Sequence, residues 1–316
     1  ICFKFERATM QTKICTKVPF FKVTLLSAVL LAAFGAGCTK EVKAPQNASI
    51  ERQKITGLKT PESVVQAKDG RIFVSEIGEF GKAGDGKITL IDAQGKTSVY
   101  ASGLDDPKGL AVIGADLYVA DNHRVLKISA DGKSSVFAAA EAFSGALHGS
   151  PYFLNDLEAD PQGNLYVSDS GDLFNTGLGG AIFKINPQGQ VSLLLSNTQD
   201  ARIKAPNGLL ADDTGEVLLV VDFTSGILYS LNQKTKVLTD LAEGFGGGDG
   251  LVHHSNGTMY VSDWKSGKVF SVNTKGDVTE IKSGYQAAAD IAITKDERYL
   301  MVPDMKAGEL DFIPLR

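Results

Sequence analysis

The sequence predicts an all-β protein built from six copies of one unit. An aliphatic strand that ends in an acidic residue recurs six times, and successive copies lie 41 to 53 residues apart. Repeats of roughly 40–50 residues, rich in alternating and β-branched residues, are typical of β-propellers with four strands in each blade. The predicted fold is therefore a six-bladed β-propeller of four-stranded blades. The strand-end acids are Glu76, Asp121, Asp169, Asp222, Asp263 and Asp304.

The N-terminal segment, residues 1–37, has the layout of a bacterial export signal. Met10 is the predicted true start, and basic residues after it precede an apolar run from Val23 to Phe34. That run is shorter than the roughly 18–20 residues that a membrane span needs. Small residues directly before Cys38 resemble a lipoprotein signal, in which this cysteine becomes the lipidated terminus. The alternative is ordinary cleavage nearby and a free periplasmic protein.

The predicted organisation is an export signal (1–37), a lipidated cysteine with a polar tether (38–49) and one propeller domain (50–316). The protein is then exported, either to the periplasm or as an outer-membrane-anchored lipoprotein that meets the membrane only through its lipid. No cysteine follows Cys38, so the propeller has no disulfide, thiolate metal site or cysteine nucleophile.

Each repeat reads as an inner strand, a tight polar turn, the acid-ended strand and then a second hairpin, of which 87–102 is an example. The last repeat supplies three strands. Ile50–Thr56 is therefore predicted to add the outer strand of the sixth blade, which closes the ring and removes an open sheet edge.

Charge argues against one class of partner. The net charge is −5, and most of the basic excess lies in the N-terminal segment, so the repeats themselves are more acidic. A nucleic-acid surface needs clustered Lys and Arg. Small neutral substrates or cationic ligands fit this chain better.

A second set of residues precedes the strand-end acids by 13 to 15 positions. Each begins an innermost strand, and all are polar. Residues at one repeat position of a closed ring face the axial channel, so their side chains are predicted to converge at one mouth. The six are Glu62, Lys108, Asn155, Asn207, Asp249 and Asp290.

Four of these six residues would form an all-oxygen cage, and Lys108 and Asp290 could pair with each other. Such a cage predicts one divalent cation, Ca²⁺ first, with Mg²⁺, Mn²⁺ or Zn²⁺ as alternatives. The opposing interpretation is a water-filled polar channel without metal. The predicted metal ligands are Glu62, Asn155, Asn207 and Asp249.

Long glycine-rich loops follow the strands that end at this mouth, and binding residues concentrate on such loops. Phe153, His148 and Trp264 are the candidate substrate-binding residues. His148 could move a proton, and Trp264 could stack on a ligand. His253 and His254 come four and five residues after Asp249, roughly 13–17 Å along an extended strand, and are predicted to lie far from the mouth.

Four motifs, PES at 61–63, LND at 154–156, PNGL at 206–209 and GDGL at 248–251, resemble the regucalcin–gluconolactonase family, closest to a bacterial exported branch. The resemblance covers 50–316 and implies a six-bladed propeller with a divalent ion at the axial mouth and, in many members, lactonase activity. By that resemblance Glu62, Asn207 and Asp249 bind the metal. The catalytic residues it implies are Asp249, as the base, and Asn155, which contacts the substrate.

The chain departs from this family at one position. Aldonolactone hydrolases of the family often carry an arginine two positions before the ND motif, where this sequence has Phe153. A more apolar lactone or ester would suit the mouth of the channel near Phe153 better than a sugar lactone.

The sequence therefore predicts a divalent-metal-dependent hydrolase of lactones or related esters. The alternative is a non-catalytic envelope propeller that binds a glycan, peptide or protein partner, with a structural metal in its channel, because the propeller fold serves both roles.

Overall fold

The computed structural model describes residues 52–144, 151–177 and 179–315. In this part the chain forms an all-β fold of antiparallel four-stranded sheets, and its one helix is a short 3₁₀ turn, Ala140–Ala142. The predicted export signal (1–37), Cys38, the tether (38–49) and His148 lie outside the described residues. Among those residues, no helix has the length and apolar character needed to cross a membrane.

Blades 1 to 3 each contain four consecutive strands that pair in sequence order, from the innermost to the outermost. Blade 1 comprises β2 (Pro61–Gln66), β3 (Ile72–Glu76), β4 (Gly86–Ile91) and β5 (Thr97–Leu104). Blade 2 comprises β6 (Pro107–Ile113), β7 (Asp116–Asp121), β8 (Arg124–Ile128) and β9 (Ser134–Ala138). Blade 3 comprises β10 (Leu154–Ala159), β11 (Leu165–Asp169), β12 (Ala181–Ile185) and β13 (Val191–Ser196).

Blades 4 and 5 repeat this order, and blade 6 takes its outermost strand from the start of the described chain. Blade 4 comprises β14 (Pro206–Ala211), β15 (Val217–Asp222), β16 (Ile227–Asn232) and β17 (Leu238–Glu243). Blade 5 comprises β18 (Gly248–His253), β19 (Met259–Asp263), β20 (Lys268–Val272) and β21 (Val278–Ser283). Blade 6 comprises β22 (Ala292–Ile293), β23 (Tyr299–Asp304), β24 (Glu309–Pro314) and β1 (Ile55–Thr56).

The predicted closure by an N-terminal strand is confirmed. Strand β1 pairs antiparallel with β24, with Ile55 opposite Leu310 and Thr56 opposite Glu309. The first and last parts of the propeller therefore share one sheet. Pairing of this kind covers the edge that β24 would otherwise expose.

The apolar core lies between the blades. Clusters of buried side chains join blade 1 to 2, 2 to 3, and so on round to 6 and 1. The cluster that closes the ring packs Val74 and Ile91 of blade 1 against Met301 and Leu310 of blade 6. Because this burial lies between sheets, the polar residues on the innermost strands are left for the channel.

Candidate functional site

Five of the six predicted ring residues lie at an irregularity in the innermost strand of their blade. In β2, β6, β10, β14 and β18 the pairing with the second strand shifts register between the first and fourth residues. A β-bulge takes residues out of the ladder and redirects their side chains. The second residue of each strand falls in this bulge. These residues are Glu62, Lys108, Asn155, Asn207 and Asp249, and all five line one cavity.

Serine hydroxyls on the second strands hold three of these bulges in place. In each case the serine directly before the strand-end acid accepts a hydrogen bond of 2.8 to 2.9 Å from the backbone N–H that follows the ring residue. The repeated Ser-Asp or Ser-Glu pair thus fixes the backbone from which the ring residue projects. The bonded pairs are Ser75 with Ser63, Ser168 with Asp156, and Ser262 with Gly250.

The strand-end acids tie loops to strands. Asp222 is fully buried and accepts hydrogen bonds of 2.8 to 3.0 Å from four backbone N–H groups, two before β14 and two after β15. Asp169 likewise accepts from backbone N–H groups of Tyr152, Phe153 and Gly171. These carboxylates stabilise the backbone around the ring. The four donors to Asp222 are Lys204, Ala205, Thr224 and Ser225.

Neighbouring innermost strands approach each other closely. A Cβ atom at Gly208 would lie 2.3 Å from the carbonyl oxygen of Asp249, and one at Gly250 would lie 2.4 Å from the backbone nitrogen of Ile291. Real Cβ contacts of that length do not occur, so glycine is required at both positions. The close approach brings the ring residues of adjacent blades together.

Three buried oxygens in this ring have no hydrogen-bond partner. They are Oε2 of Glu62, Oδ1 of Asn207 and Oδ1 of Asp249, on side chains that are 2 to 4% exposed. Buried polar atoms are nearly always satisfied in native proteins. Among the described residues the only other such atom is Nε2 of Gln233. Three unsatisfied acceptors at one place are the arrangement that a bound cation would satisfy.

Burial makes the charged forms of these carboxylates unfavourable. The pKa of Glu62 is raised well above its ordinary value, first by burial and then by the charge of Asp249. Lys108 opposes this effect by lowering the pKa of Glu62. The pKa of Asp249 is raised by burial and by Asp156. Since a cation favours the ionised forms, the chemistry of this donor set fits a divalent ion.

The cavity has a polar floor and an apolar wall. Its volume is about 40 Å³, room for an ion and one or two water-sized groups. The floor consists of the five bulge residues. The wall consists of Ile77, Phe80, Phe153, Leu173, Phe174, Phe223, Trp264 and Met305.

Residues 113–302 match the SMP-30/gluconolactonase/LRE-like region. This stretch is more than half of the chain, and it runs from the end of β6 into β23. The chain belongs to this family. No curated protein matches the chain.

Proteins of the SMP-30/gluconolactonase/LRE-like family are generally lactonase-like hydrolases and generally bind a divalent metal ion. The matched stretch includes Asn155, Asn207 and Asp249, whereas Glu62 precedes it. Within the described residues, no group of three or more His, Cys, Asp or Glu side chains converges as a metal site. The set of candidate ligands differs from such a group because it combines two carboxylates, Glu62 and Asp249, with two amides.

The predicted pairing of Lys108 with Asp290 is wrong. Lys108 lies in blade 2 and Asp290 lies directly before blade 6, so blade 1 stands between them. The Nζ atom of Lys108 donates to the backbone oxygen of Asp106 at 3.1 Å and lies 4.4 Å from the centroid of the Phe153 ring. Asp290 instead accepts a 2.5 Å hydrogen bond from Oγ of Ser63.

The amide of Asn155 is fixed by its nitrogen. Its Nδ2 donates to Oγ of Ser170 at 3.1 Å, and that hydroxyl donates in turn to the backbone oxygen of Pro206 at 2.8 Å. Because the nitrogen is engaged, the oxygen of Asn155 is the atom available to a ligand in the cavity.

Two of the three candidate substrate-binding residues, Phe153 and Trp264, lie in the cavity wall. The third, His148, lies outside the described residues. His253 ends β18, opposite Met259, whereas Gly248 at the other end of β18 lies opposite Asp263. The histidine pair is therefore at the far end of this strand from Asp249, as the spacing predicts.

Sequence reasoning missed most of the apolar wall, although a simple signal marks it. Four wall residues directly follow a strand-end acid, because the chain leaves the second strand at the mouth. From the sequence, this position, directly after a strand-end acid, was used to place only Trp264 near the mouth. The four are Ile77, Phe223, Trp264 and Met305.

A larger cavity of about 320 Å³ lies beside blade 2 and contains none of the ring residues. Three of its charged residues pair with one another, since Arg124 donates to Asp105 at 3.0 Å and to Asp121 at 2.9 Å. The chemistry of the ring therefore belongs to the smaller cavity.

Proposed function

We propose that the chain is a divalent-cation-dependent hydrolase of lactones or related esters. The observation that carries this proposal is the set of three unpartnered oxygens, from Glu62, Asn207 and Asp249, on the floor of one cavity. Membership of a family of lactonase-like hydrolases supports the same reaction class.

We propose Ca²⁺ as the cation, held by Glu62, Asn207 and Asp249 with Asn155 beside them. All candidate donors are oxygens, which favours a hard cation over Zn²⁺, whose sites are richer in His and Cys. The chemistry that such an ion supplies is stabilisation of negative charge on the carbonyl oxygen of the substrate.

The side chains of the floor would divide the remaining work. The carboxylate of Asp249 accepts a proton from water as the water oxygen bonds to the carbonyl carbon. The acyl C–O bond then breaks, and the proton passes to the departing alkoxide. A lactone gives a hydroxy acid, and an open ester gives an acid and an alcohol. Asn155, held by Ser170, orients the carbonyl group.

Lys108 contributes positive charge to the floor. It is 2% exposed, and its charge lowers the pKa of Glu62. It therefore helps to keep the Glu62 carboxylate ionised and able to bind a cation. The face of the Phe153 ring at 4.4 Å stabilises its ammonium group.

The test is hydrolysis of a panel of five- and six-membered lactones and phenyl esters, followed by acid release, with and without EDTA. The parent protein should lose turnover on chelation and regain it with added Ca²⁺. Asp249→Asn should abolish turnover, since it removes both a cation ligand and the proton acceptor.

Two results would contradict the proposal. Turnover that survives both EDTA and Asp249→Asn would exclude the ring as the active site. Tight binding of Ca²⁺ with no turnover on any substrate of the panel would favour the non-catalytic binding propeller.

We also propose that the protein is exported and anchored by a lipid on Cys38. The support is the sequence alone: a basic start, an apolar run and small residues before this cysteine. Metabolic labelling with a fatty-acid analogue should mark the parent protein but not Cys38→Ala. Equal labelling of both would contradict the anchor.

A further inference from the structure

Eight apolar side chains form the wall of the cavity, and lysines lie over two of its rings. The Nζ atom of Lys265 is 4.4 Å from the centroid of Phe223, and that of Lys306 is 4.1 Å from the centroid of Trp264. The eight wall residues come from blades 1, 3, 4, 5 and 6, and within the described residues blade 2 contributes Lys108 to the floor and nothing to the wall. The Nε1 atom of Trp264 donates a hydrogen bond to Sδ of Met305 at 3.3 Å, so this polar group of the wall already has a partner. A ligand in this mouth therefore meets charged and amide groups at the floor and mainly apolar side chains above it.

Aromatic rings make up most of this wall. Phe153 and Phe174 form an edge-to-face pair with ring centroids 5.5 Å apart. Phe223 and Trp264 form a second pair with centroids 6.2 Å apart. Such rings offer large contact areas to alkyl and aryl groups and few hydrogen bonds.

The rim of the mouth is also apolar, and it is exposed. Phe174 is 68% exposed and Phe80 is 47% exposed, although both line the cavity. Neither side chain at this level of exposure adds much to the stability of the fold. Clustered exposed apolar residues around a pocket are typical of binding sites.

We propose that the substrates of this site are lactones or esters that carry an alkyl or aryl substituent. This inference rests on the proposed function above. The reactive carbonyl enters the cavity at the polar floor. The rest of the molecule, which is larger than the cavity of about 40 Å³, lies at the mouth over the exposed rings of Phe80 and Phe174. A polyhydroxylated lactone would place its hydroxyl groups against the wall, where they would lose hydrogen bonds to water.

Trp264 gives a direct probe of this cavity, because it is the only tryptophan of the chain and lies in the wall. Binding can therefore be followed by its fluorescence, independently of turnover. The probes are two cyclic ketones that cannot be hydrolysed, cyclopentanone and 2-heptylcyclopentanone. The substituted ketone should bind at least about 30-fold more tightly, since each buried methylene contributes about three- to fourfold.

Matched variants distinguish the effect of the rim residues on binding from the effect of an exposed apolar side chain elsewhere on the surface. Phe80→Ala/Phe174→Ala should weaken binding of 2-heptylcyclopentanone about fivefold or more and leave cyclopentanone unchanged. Val237→Ala removes an apolar side chain that is 57% exposed and lies before β17, outside the mouth. It should bind both ketones like the parent protein.

Hydrolysis completes the test with three six-membered lactones: δ-decalactone, δ-valerolactone and D-glucono-δ-lactone. We expect the highest kcat/KM for δ-decalactone and the lowest for the sugar lactone. Hydrolysis with the sugar lactone preferred would overturn this inference and leave the proposed function intact. Tight binding of the substituted ketone without hydrolysis of any lactone would support an apolar ligand and overturn the hydrolase. Equal affinities for the two ketones would overturn the inference whatever the lactones show.

Discussion

Ser63 donates a 2.5 Å hydrogen bond to Asp290, and this contact distinguishes Asp290 from the other two carboxylates of the ring. Asp290 is buried like Glu62 and Asp249, yet none of its oxygens is among the unpartnered atoms of the described residues. The ring therefore has three carboxylates, and two of them carry a fully buried oxygen without a hydrogen-bond partner. The carboxylates among the candidate ligands are those that have such an oxygen, and residue type alone does not identify them.

Cation binding should follow this division. Saturating Ca²⁺, at about 100 times its Kd, should stabilise the parent protein by about 2.7 kcal/mol and raise Tm by roughly 5 °C. Glu62→Gln should abolish that increase, because it removes a charged ligand from the buried set. Calorimetric titration and thermal unfolding measure the two effects.

Asp290→Asn is the matched control for Glu62→Gln. It also neutralises a buried ring carboxylate, but one whose Oδ2 accepts a hydrogen bond from Ser63. It should still bind one ion per chain, at reduced affinity because a nearby negative charge is lost. Loss of the ion in both variants, or in neither, would contradict the assignment of ligands.

The close approach of β14 and β18 gives a second prediction. Gly208→Ala would place its Cβ 2.3 Å from the carbonyl oxygen of Asp249 and push the strands of Asn207 and Asp249 apart. We expect a loss of about 1–3 kcal/mol in stability and at least about tenfold in Ca²⁺ affinity. Gly246→Ala is the control, since its Cβ would meet nothing closer than 3.9 Å. Equal cation affinity in the two variants would show that this spacing does not position the ligands.

The fold and the positions of the ring residues could be predicted because the same sequence pattern recurs in every repeat. Six acids at strand ends and six polar residues 13 to 15 positions earlier define which strand is innermost and which residue faces the channel. The bulge then acts on the same position in five blades, so one geometric rule places Glu62 and Asp249 together.

What the sequence could not supply is the identity of each hydrogen-bond partner. Ser63 of blade 1 donates to Asp290 beside blade 6, and Ser170 accepts from the amide of Asn155 within blade 3. Both contacts depend on side-chain geometry that the repeat pattern does not encode. The expected pairing of Lys108 with Asp290 was wrong for a different reason. It treated two ring residues as neighbours, although blade 1 lies between the blades that carry them.

A third prediction concerns the strand-end acids. Asp222→Ala leaves four backbone N–H groups without their acceptor, so we expect a loss of about 3 kcal/mol in unfolding free energy. Asp222→Asn keeps one acceptor oxygen and should lose about half as much. Asp240→Ala is the control, because this exposed acid pairs with Arg202 at the surface and should change stability by less than about 1 kcal/mol. Urea unfolding measures the unfolding free energy of all three variants. An Asp222→Ala variant as stable as the parent protein would contradict the structural role of Asp222.

Glu158, in the channel strand β10, provides a pH-dependent group away from the candidate ligands. Burial and the neighbouring charge of Asp156 raise the pKa of Glu158 to about 8, while a backbone hydrogen bond from Ala211 and the charge of Lys295 lower it in part. Its ordinary pKa is 4.5. Between these two values the unfolded chain is ionised at this position and the folded chain still holds the proton. The folded state therefore binds more protons, and its stability falls as the pH rises through this window.

The prediction is that Glu158→Gln, which stays neutral, becomes more stable than the parent protein as the pH rises from 6.5 to 8. The full effect of the raised pKa is at most about 5 kcal/mol. Asp156, whose pKa is raised to about 6, acts below this range, so the comparison isolates Glu158. Urea unfolding in the presence of EDTA measures the slopes. Glu280→Gln is the control, since Lys268 lowers the pKa of that exposed glutamate and its slope should match the parent. Parallel slopes for Glu158→Gln and the parent would show that Glu158 is ionised throughout this range in the folded protein.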